Sequence, residues 1–554
     1  MIPNCHGVFD MFRSAVVVLF TLSAPVAAET WQPEEAAMRG HVGFLASDEM
    51  KGREAGTPEY DIAARYVAAQ FETMGLKPAG AKDSFIQPVP LVTFRAADKG
   101  SITLINGATE TPLEFGVDYL PGTTPLAPEL TLAAPLVFAG FGVAAPSFKR
   151  DDYAGIDVKG KIVVLLAGAP SSLPTEERAH YANTVSKREL AAKRGAVGII
   201  LVDTPTREKV AAFTLRARNW RYLGATWADA NGIASYPGGT APVLASVSLN
   251  GAAKLFAGLP GGADAIYAAS ESKAANPKRT DLPLRARVTL NTEINRVMSS
   301  NVAGILEGSD PVLKEQVIVL SGHLDHTGIC PEVKGDNICN GAMDNAMGIA
   351  SMIEVAHGFK HSKALPKRSI LFLAVTAEEK GLVGTDYFAQ NPTVPKANLV
   401  ANVNLDMPIV TYDFSDVVAF GAERSSIGPA VARAGASMGI SLVADPQPEQ
   451  GLFTRSDHYR FVQQGIPSVF LVTGPGGNGA AASAAFLKTN YHQPSDDMKL
   501  PINWGAAAKF VGLNLAIARD LADAKDRPRW KPGDLFGTLF NGYGALVDKN
   551  AGND

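Results

Sequence analysis

Two hydrophobic periods organise this chain. Val302–Leu306, Val317–Leu320, Ser369–Val375, Leu399–Asn404 and Ser468–Val472 are apolar at nearly every position and read as strands buried on both faces. Between them the spacing turns helical. In Ala346–Phe359, for example, Ile349, Met352, Ile353 and Ala356 fall at i, i+3, i+4 and i+7. Strands alternating with helices predict an α/β fold with a mostly parallel central sheet flanked by helices. Upstream, Met38–Leu45 predicts an amphipathic helix. Tyr60–Met74 predicts a second, with Ile62, Tyr66, Val67 and Phe71 on one face and Gly75 as its stop. Short strands are expected at Phe85–Val92 and Ile102–Leu104. From Val117 the character changes: Pro and Gly become frequent, and short β-like runs follow at Leu136–Phe138 and Ile162–Leu166. A helix at Ser186–Arg194 then leads into the apolar run Gly195–Val202. This block ends near residue 275 in a Gly/Ala/Ser/Lys-rich linker and reads as a separate β-rich insertion. The expected organisation is therefore 1–28, 29–116 and 279–530 around an insertion at 117–278, with a tail at 531–554; Trp504–Leu521 is the last helix.

At 554 residues, two or more domains are expected from roughly 100–200 residues each. A hydrophobic share of 46% against 19% charged excludes a disordered chain. A net charge of -4 and the lack of a long Lys/Arg run argue against nucleic acid as a partner. Residues 1–28 read as a signal peptide: Arg13 precedes the apolar Ala15–Leu22, and Val26-Ala27-Ala28 is a small-residue cleavage site. Met11 offers an alternative start. The apolar run falls short of the ~20 residues that span a bilayer. A periplasmic or secreted protein without a stable membrane anchor is the expectation. Cys5 lies in the signal, which leaves Cys330 and Cys339; in an oxidising compartment they are expected to pair as a disulfide rather than remain thiols.

Chemistry-bearing side chains recur just past the strand ends. His323 and Asp325 follow Leu320, Glu378 and Glu379 follow Val375, and Asp406 follows the Leu399–Asn404 run. Tyr491-His492 comes after Val472 and a loop, and Asp344 opens a helix. Strand ends of a parallel sheet converge on one edge. Four carboxylates gathered there would raise each other's pKa strongly, and bound cations remove that conflict. Two histidines with several carboxylates suit zinc, and such a set can hold two ions about 3.5–4 Å apart with a carboxylate between them. Of the adjacent pair Glu378-Glu379, one can ligate while the other faces an acidified water as general base. Asp325 is placed to accept the second imidazole N–H of His323.

These segments resemble the co-catalytic di-zinc peptidases of the aminopeptidase and glutamate carboxypeptidase type. The matching motifs are SGHLDH at Ser321, NGAMDNAMG at Asn340, TAEEKGLVG at Thr376, NLDM at Asn404, RSDHYRF at Arg455 and YHQPSDD at Tyr491, together with LASDEMKGREAGTPEY at Leu45. DDYAGIDVKGKIVVL at Asp151 looks like a protease-associated domain. The resemblance implies a zinc-dependent exopeptidase fold with that domain inserted and two zinc ions per chain. His323 and Asp406 would hold one ion, Glu379 and His492 the other, with Asp344 bridging. Glu378 would be the general base, Asp325 would orient His323, and the Asp344–Asn345 peptide would be cis. Met343 and Met347 stand where relatives often have an acid and a serine. Phe453 stands where some have a tyrosine that helps hold the oxyanion, with Tyr459 or a backbone N–H as replacements, while Ser456, Asp457 and His458 receive no role. The implied activity is removal of N-terminal residues from peptide substrates by a di-zinc-bound hydroxide. A carboxypeptidase with Arg455 in its pocket, a one-zinc glutaminyl-cyclase-like transferase and a non-catalytic receptor-like protein are the alternatives, and the oligomeric state is left open.

Overall fold

The structure, a computed structural model, describes Met1, Trp31 and residues 33–272, 276–362 and 364–546. Apart from Met1, the expected signal peptide 1–28 lies outside the described residues. The strand Val317–His323 is buried along its whole length. It pairs in parallel with Ser369–Val375 on one side and with Leu399–Asn404 on the other. Ser468–Thr473 continues the parallel set beyond Leu399–Asn404, Asp416–Phe420 follows antiparallel, and the short Ser441–Leu442 strand pairs with it at the edge. On the opposite side Thr292–Leu306 runs antiparallel to both Ser369–Val375 and Ile86–Ala96. The fold is α/β, with a sheet parallel in its middle and antiparallel at its flanks.

The parallel strands are aliphatic on both faces because both faces are covered. Helices Glu35–Leu45, Pro58–Thr73, Met347–His361 and Trp504–Asp523 cover one face, with Met352, Phe359, Phe510 and Ile517 fully buried among them. Phe388 and Phe461 lie on the other. In Pro58–Thr73 the buried stripe is Tyr60, Ala63, Ala64, Val67 and Phe71. Ile62 falls off that stripe and is 42% exposed, against expectation.

A second sheet carries its own core. It runs from Thr109–Pro112 through Ser101–Asn106, the first half of Thr280–Leu306, Glu129–Phe138, Ile162–Leu166, Gly198–Val202 and Val243–Val247 to Tyr119–Pro121. Its fully buried interior includes Leu136, Phe138, Val164, Ile200 and Phe256. Both its ends exceed the expected 117–278 block, because strands at 101–112 and 280–291 belong to it. Nor is the block wholly separate: Gly224–Trp227 pairs with Leu91–Phe94 of the main sheet. Thr280–Leu306 is one 27-residue strand shared by both sheets. Among the described residues no helix is long and apolar enough to cross a membrane.

Candidate active site

Register places the reactive side chains. His323 pairs opposite Val375, which brings the end of its strand beside the loop carrying Glu378 and Glu379. Leu405 N–H bonds to Ser321 carbonyl at 2.8 Å and draws Asp406 to the same edge. Asp344 sits in the turn before the Met347–His361 helix, and the Asp344–Asn345 peptide is cis. Asn345 ties these loops together: its side-chain amide donates to the Leu405 and His323 carbonyls at 3.0 and 3.3 Å, and its oxygen accepts from Gly348 N and Met407 N. A Cβ on Gly348 would fall 2.0 Å from that oxygen, so only glycine fits. Three residues without the freedom of glycine have left-handed backbone at this edge: Ala377 before Glu378, Met407 after Asp406, and His492 itself, at φ 53°, 40° and 54°.

The geometry is two donor sets around one carboxylate. His323 Nε2 lies 3.2 Å from Asp344 Oδ1 and 3.1 Å from Asp406 Oδ1. His492 Nε2 lies 3.3 Å from Asp344 Oδ2 and 3.0 Å from Glu379 Oε2. Asp344 therefore offers a different oxygen to each side. Donors bound at ~2.0–2.2 Å around a tetrahedral ion stand about 3.3–3.5 Å apart, so these spacings suit a small cation on each side. The donor chemistry agrees: His492 Nε2 and Glu379 Oε1 are buried without a hydrogen-bond partner. His326, which the sequence reading left without a role, joins the second set with Asp344 and Glu379. Its place directly after Asp325 in His-x-Asp-His was the available signal.

The electrostatics of the metal-free protein follow from crowding. Burial alone would depress both imidazoles. Glu378 and Asp406 nevertheless hold His323 well above its ordinary range, and Glu379 and Asp344 push His492 up to about 10. Burial would raise the carboxylates, yet the imidazoles of His323 and His492 beside it hold Asp344 well below its ordinary range, and His492 is the main influence bringing Glu379 down to about 2. Glu378 goes the other way, raised by burial and by Asp406, Asp457 and Glu379. In this state protonated imidazoles do part of what cations would do.

Asp325 acts differently from the expected imidazole acceptor. Its backbone carbonyl, at 3.0 Å, is what meets His323 Nδ1. Its carboxylate accepts from the backbone N–H groups of Glu378 and Glu379 at 3.0 and 3.4 Å, because the tight turn after Val375 presents those donors to it. Asp325 thus orients His323 through its main chain and the Glu378-Glu379 pair through its side chain.

Three supports were not assigned from sequence. Arg53 is fully buried and donates to the carbonyls of Leu45, Leu324, Asn340 and Gly341, clamping the loops after His323 and before Asp344. Asp496 accepts from Met343 N and Asp344 N at 2.9 and 3.1 Å. Ser456 donates to Asp406 Oδ2 and accepts from Asn404, whose oxygen in turn accepts from Ser321. Asp457 accepts from Thr385, and His458 is buried between Phe453 and Phe470, its pKa pushed down to about 3 by burial. Tyr459 points away from the donors and bonds His180 Nδ1 at 2.6 Å, so it is not the replacement oxyanion donor. Cys330 and Cys339 form a disulfide across the hairpin between His323 and Asp344.

The donors open into a cleft of about 1170 Å³. Asp344, Glu378, Asp406 and Tyr491 line it, together with Arg178 and Arg207 from the 117–278 block. Tyr222 of that block donates its hydroxyl to the Glu379 carbonyl.

Comparison with known proteins gives the following. Residues 301–518 match the model of Peptidase family M28. A "Probable zinc metalloprotease" of Pyrenophora teres f. teres is 38% identical over 110 residues, 20% of this chain and 22% of that protein. A "probable leucine aminopeptidase 2" of Aspergillus oryzae is 28% identical over 221 residues, 36% of this chain and 40% of that protein. The chain thus spans about a fifth to two fifths of these curated relatives. The solved "Aminopeptidase from Aneurinibacillus sp. strain AM-1" superposes with a TM-score of 0.50 at 19% identity, covering 90% of this chain and 96% of its own, a likeness of fold.

Proposed function

Residues 301–518 match peptidase family M28, and we propose that this chain is an exported zinc aminopeptidase of that family that holds two ions and hydrolyses the N-terminal peptide bond of peptides. One observation carries the reading: Asp344 turns its two oxygens toward two separate donor pairs, His323 with Asp406 and His492 with Glu379, at 3.0–3.3 Å. When bound there, zinc supplies Lewis acidity to the scissile carbonyl and to the attacking water.

The chain's own residues do the rest. Glu378 stands beside His323 and Asp406, held by the Asp325 carboxylate through its backbone N–H. It takes the proton of the attacking water as the C–O bond forms, then hands it to the leaving amine as the C–N bond breaks. Burial and neighbouring carboxylates raise its proton affinity, which suits a base that must also act as acid. The cleft admits a chain end, and the 117–278 block, read as a protease-associated domain, contributes to its lining.

Glu378→Gln should keep the fold and bound zinc and lose at least about 10²-fold in kcat; retained turnover sinks the role. A carboxypeptidase on the same site is the second reading, favoured by Arg455 and Arg207 in the cleft lining. Dipeptides blocked at the amino or the carboxyl end decide: the aminopeptidase cuts only substrates with a free amine. Export is supported by the apolar leader and the disulfide. Amino-terminal sequencing of material secreted or released from the periplasm should begin after Ala28.

A further inference from the structure

We propose that His326 is a further ligand of the second metal, so that Asp344, Glu379, His492 and His326 hold one ion while His323, Asp344 and Asp406 hold the other. This rests on reading the cluster as a metal centre. The His326 ring is fully buried. Its Nδ1 lies 2.7 Å from Glu379 Oε1 and 3.9 Å from Asp344 Oδ2, and its ring centroid is 5.5 Å from that of His492. Despite that proximity neither ring nitrogen makes a hydrogen bond, and Glu379 Oε1 is equally unpartnered. The carboxylate lies near the nitrogen but off its donor direction. His492 Nε2 shows the same signature, carboxylates at 3.0 and 3.3 Å and no hydrogen bond. On this proposal the groups are neighbours on a shared cation, and the 2.7 Å pair would open toward about 3.3 Å as the ion enters. The alternative is an ion pair of His326 Nδ1 with Glu379 Oε1 alone, at 2.7 Å, and the imidazole count below separates the two.

The backbone fixes this placement. His326 N–H bonds the Arg53 carbonyl at 3.3 Å, and the ring packs on Gly341, where a Cβ would lie 2.6 Å from its Cγ. The two ions would then differ. Four protein donors close the second site in the manner of a structural ion. Three leave the first with room for a further ligand, on the side where Glu378 stands.

X-ray absorption on the zinc-loaded full chain counts imidazoles directly. Three histidines over two ions give about 1.5 per zinc, and two give about 1.0. We expect 1.5 for the wild type and 1.0 for His326→Ala. In a chelator-release assay that variant should lose one ion at least about tenfold faster and keep the other at the wild-type rate. A wild-type count of 1.0 with two zincs bound overturns the assignment and leaves the proposed activity standing. A chain that binds no zinc overturns both. If His326→Ala does not fold, the wild-type count alone decides.

Discussion

Replacing Arg53 with Met tests how much of the site's stability comes from a side chain that touches no substrate. The guanidinium donates to four carbonyls, those of Leu45, Leu324 at 2.9 Å, Asn340 at 2.7 Å and Gly341 at 3.1 Å. A hydrogen bond from a charged donor contributes about 1.5–3 kcal/mol, so the four give roughly 6–12 kcal/mol gross. Burial opposes them. It lowers the Arg53 pKa to about 10, even though Asp325, Asp496, Asp344 and Glu379 pull it back. That shift costs about 3 kcal/mol. The net is about 3–9 kcal/mol, and removing one partner of a buried charged network costs about 3–5 kcal/mol, the lower part of that range. Urea unfolding of the chelator-treated protein should show Arg53→Met losing about 3–5 kcal/mol, and Arg53→Lys, which keeps the charge but not the fork, losing less. Because the clamped loops carry His323 and Asp344, zinc affinity should fall as well. A loss under about 1 kcal/mol with unchanged zinc affinity would refute the clamp.

Ser456→Ala removes the donor to Asp406 Oδ2 and should weaken one zinc by about 10–100-fold while sparing the other, measured by competition with a chromophoric chelator. Zinc added to the metal-free protein at pH 7 should release protons, because His323 and His492 both have raised pKa values and must lose their protons to ligate; calorimetric heats that do not change with buffer ionisation enthalpy would refute this. Burial pushes the His180 pKa down to about 4. Between about pH 6.5 and 4 the unfolded chain then binds the extra proton, and His180 contributes a loss of stability as pH falls, at most about 3 kcal/mol at pH 4. Unfolding midpoints of the wild type and His180→Gln should converge as pH drops through that window, since the variant lacks the titration.

The strands Ser369–Val375 and Leu399–Asn404 were legible to the residue because every position in them is buried, which makes the runs largely aliphatic. The site was legible as a set of strand ends, since parallel topology brings them together whatever the intervening sequence. Its supports were not. Arg53 lies in a charged, turn-rich stretch that reads as surface, and only the fold surrounds it with carbonyls. The two functions of Asp325 depend on whether its carbonyl or its carboxylate faces His323, and spacing does not determine that. The insertion boundary was misplaced because Thr280–Leu306 changes sheets without a change in strand pattern.

That continuous strand bears on how a peptide enters. A lobe joined by two slack connections could swing like a jaw, widening the cleft for one substrate and gripping the next. Here the lobe is mounted on a hydrogen-bonded beam that also pairs into the main sheet, so a hinge of that kind would have to bend a continuous strand. If the proposed activity holds, the cleft would meet each substrate at a nearly constant width.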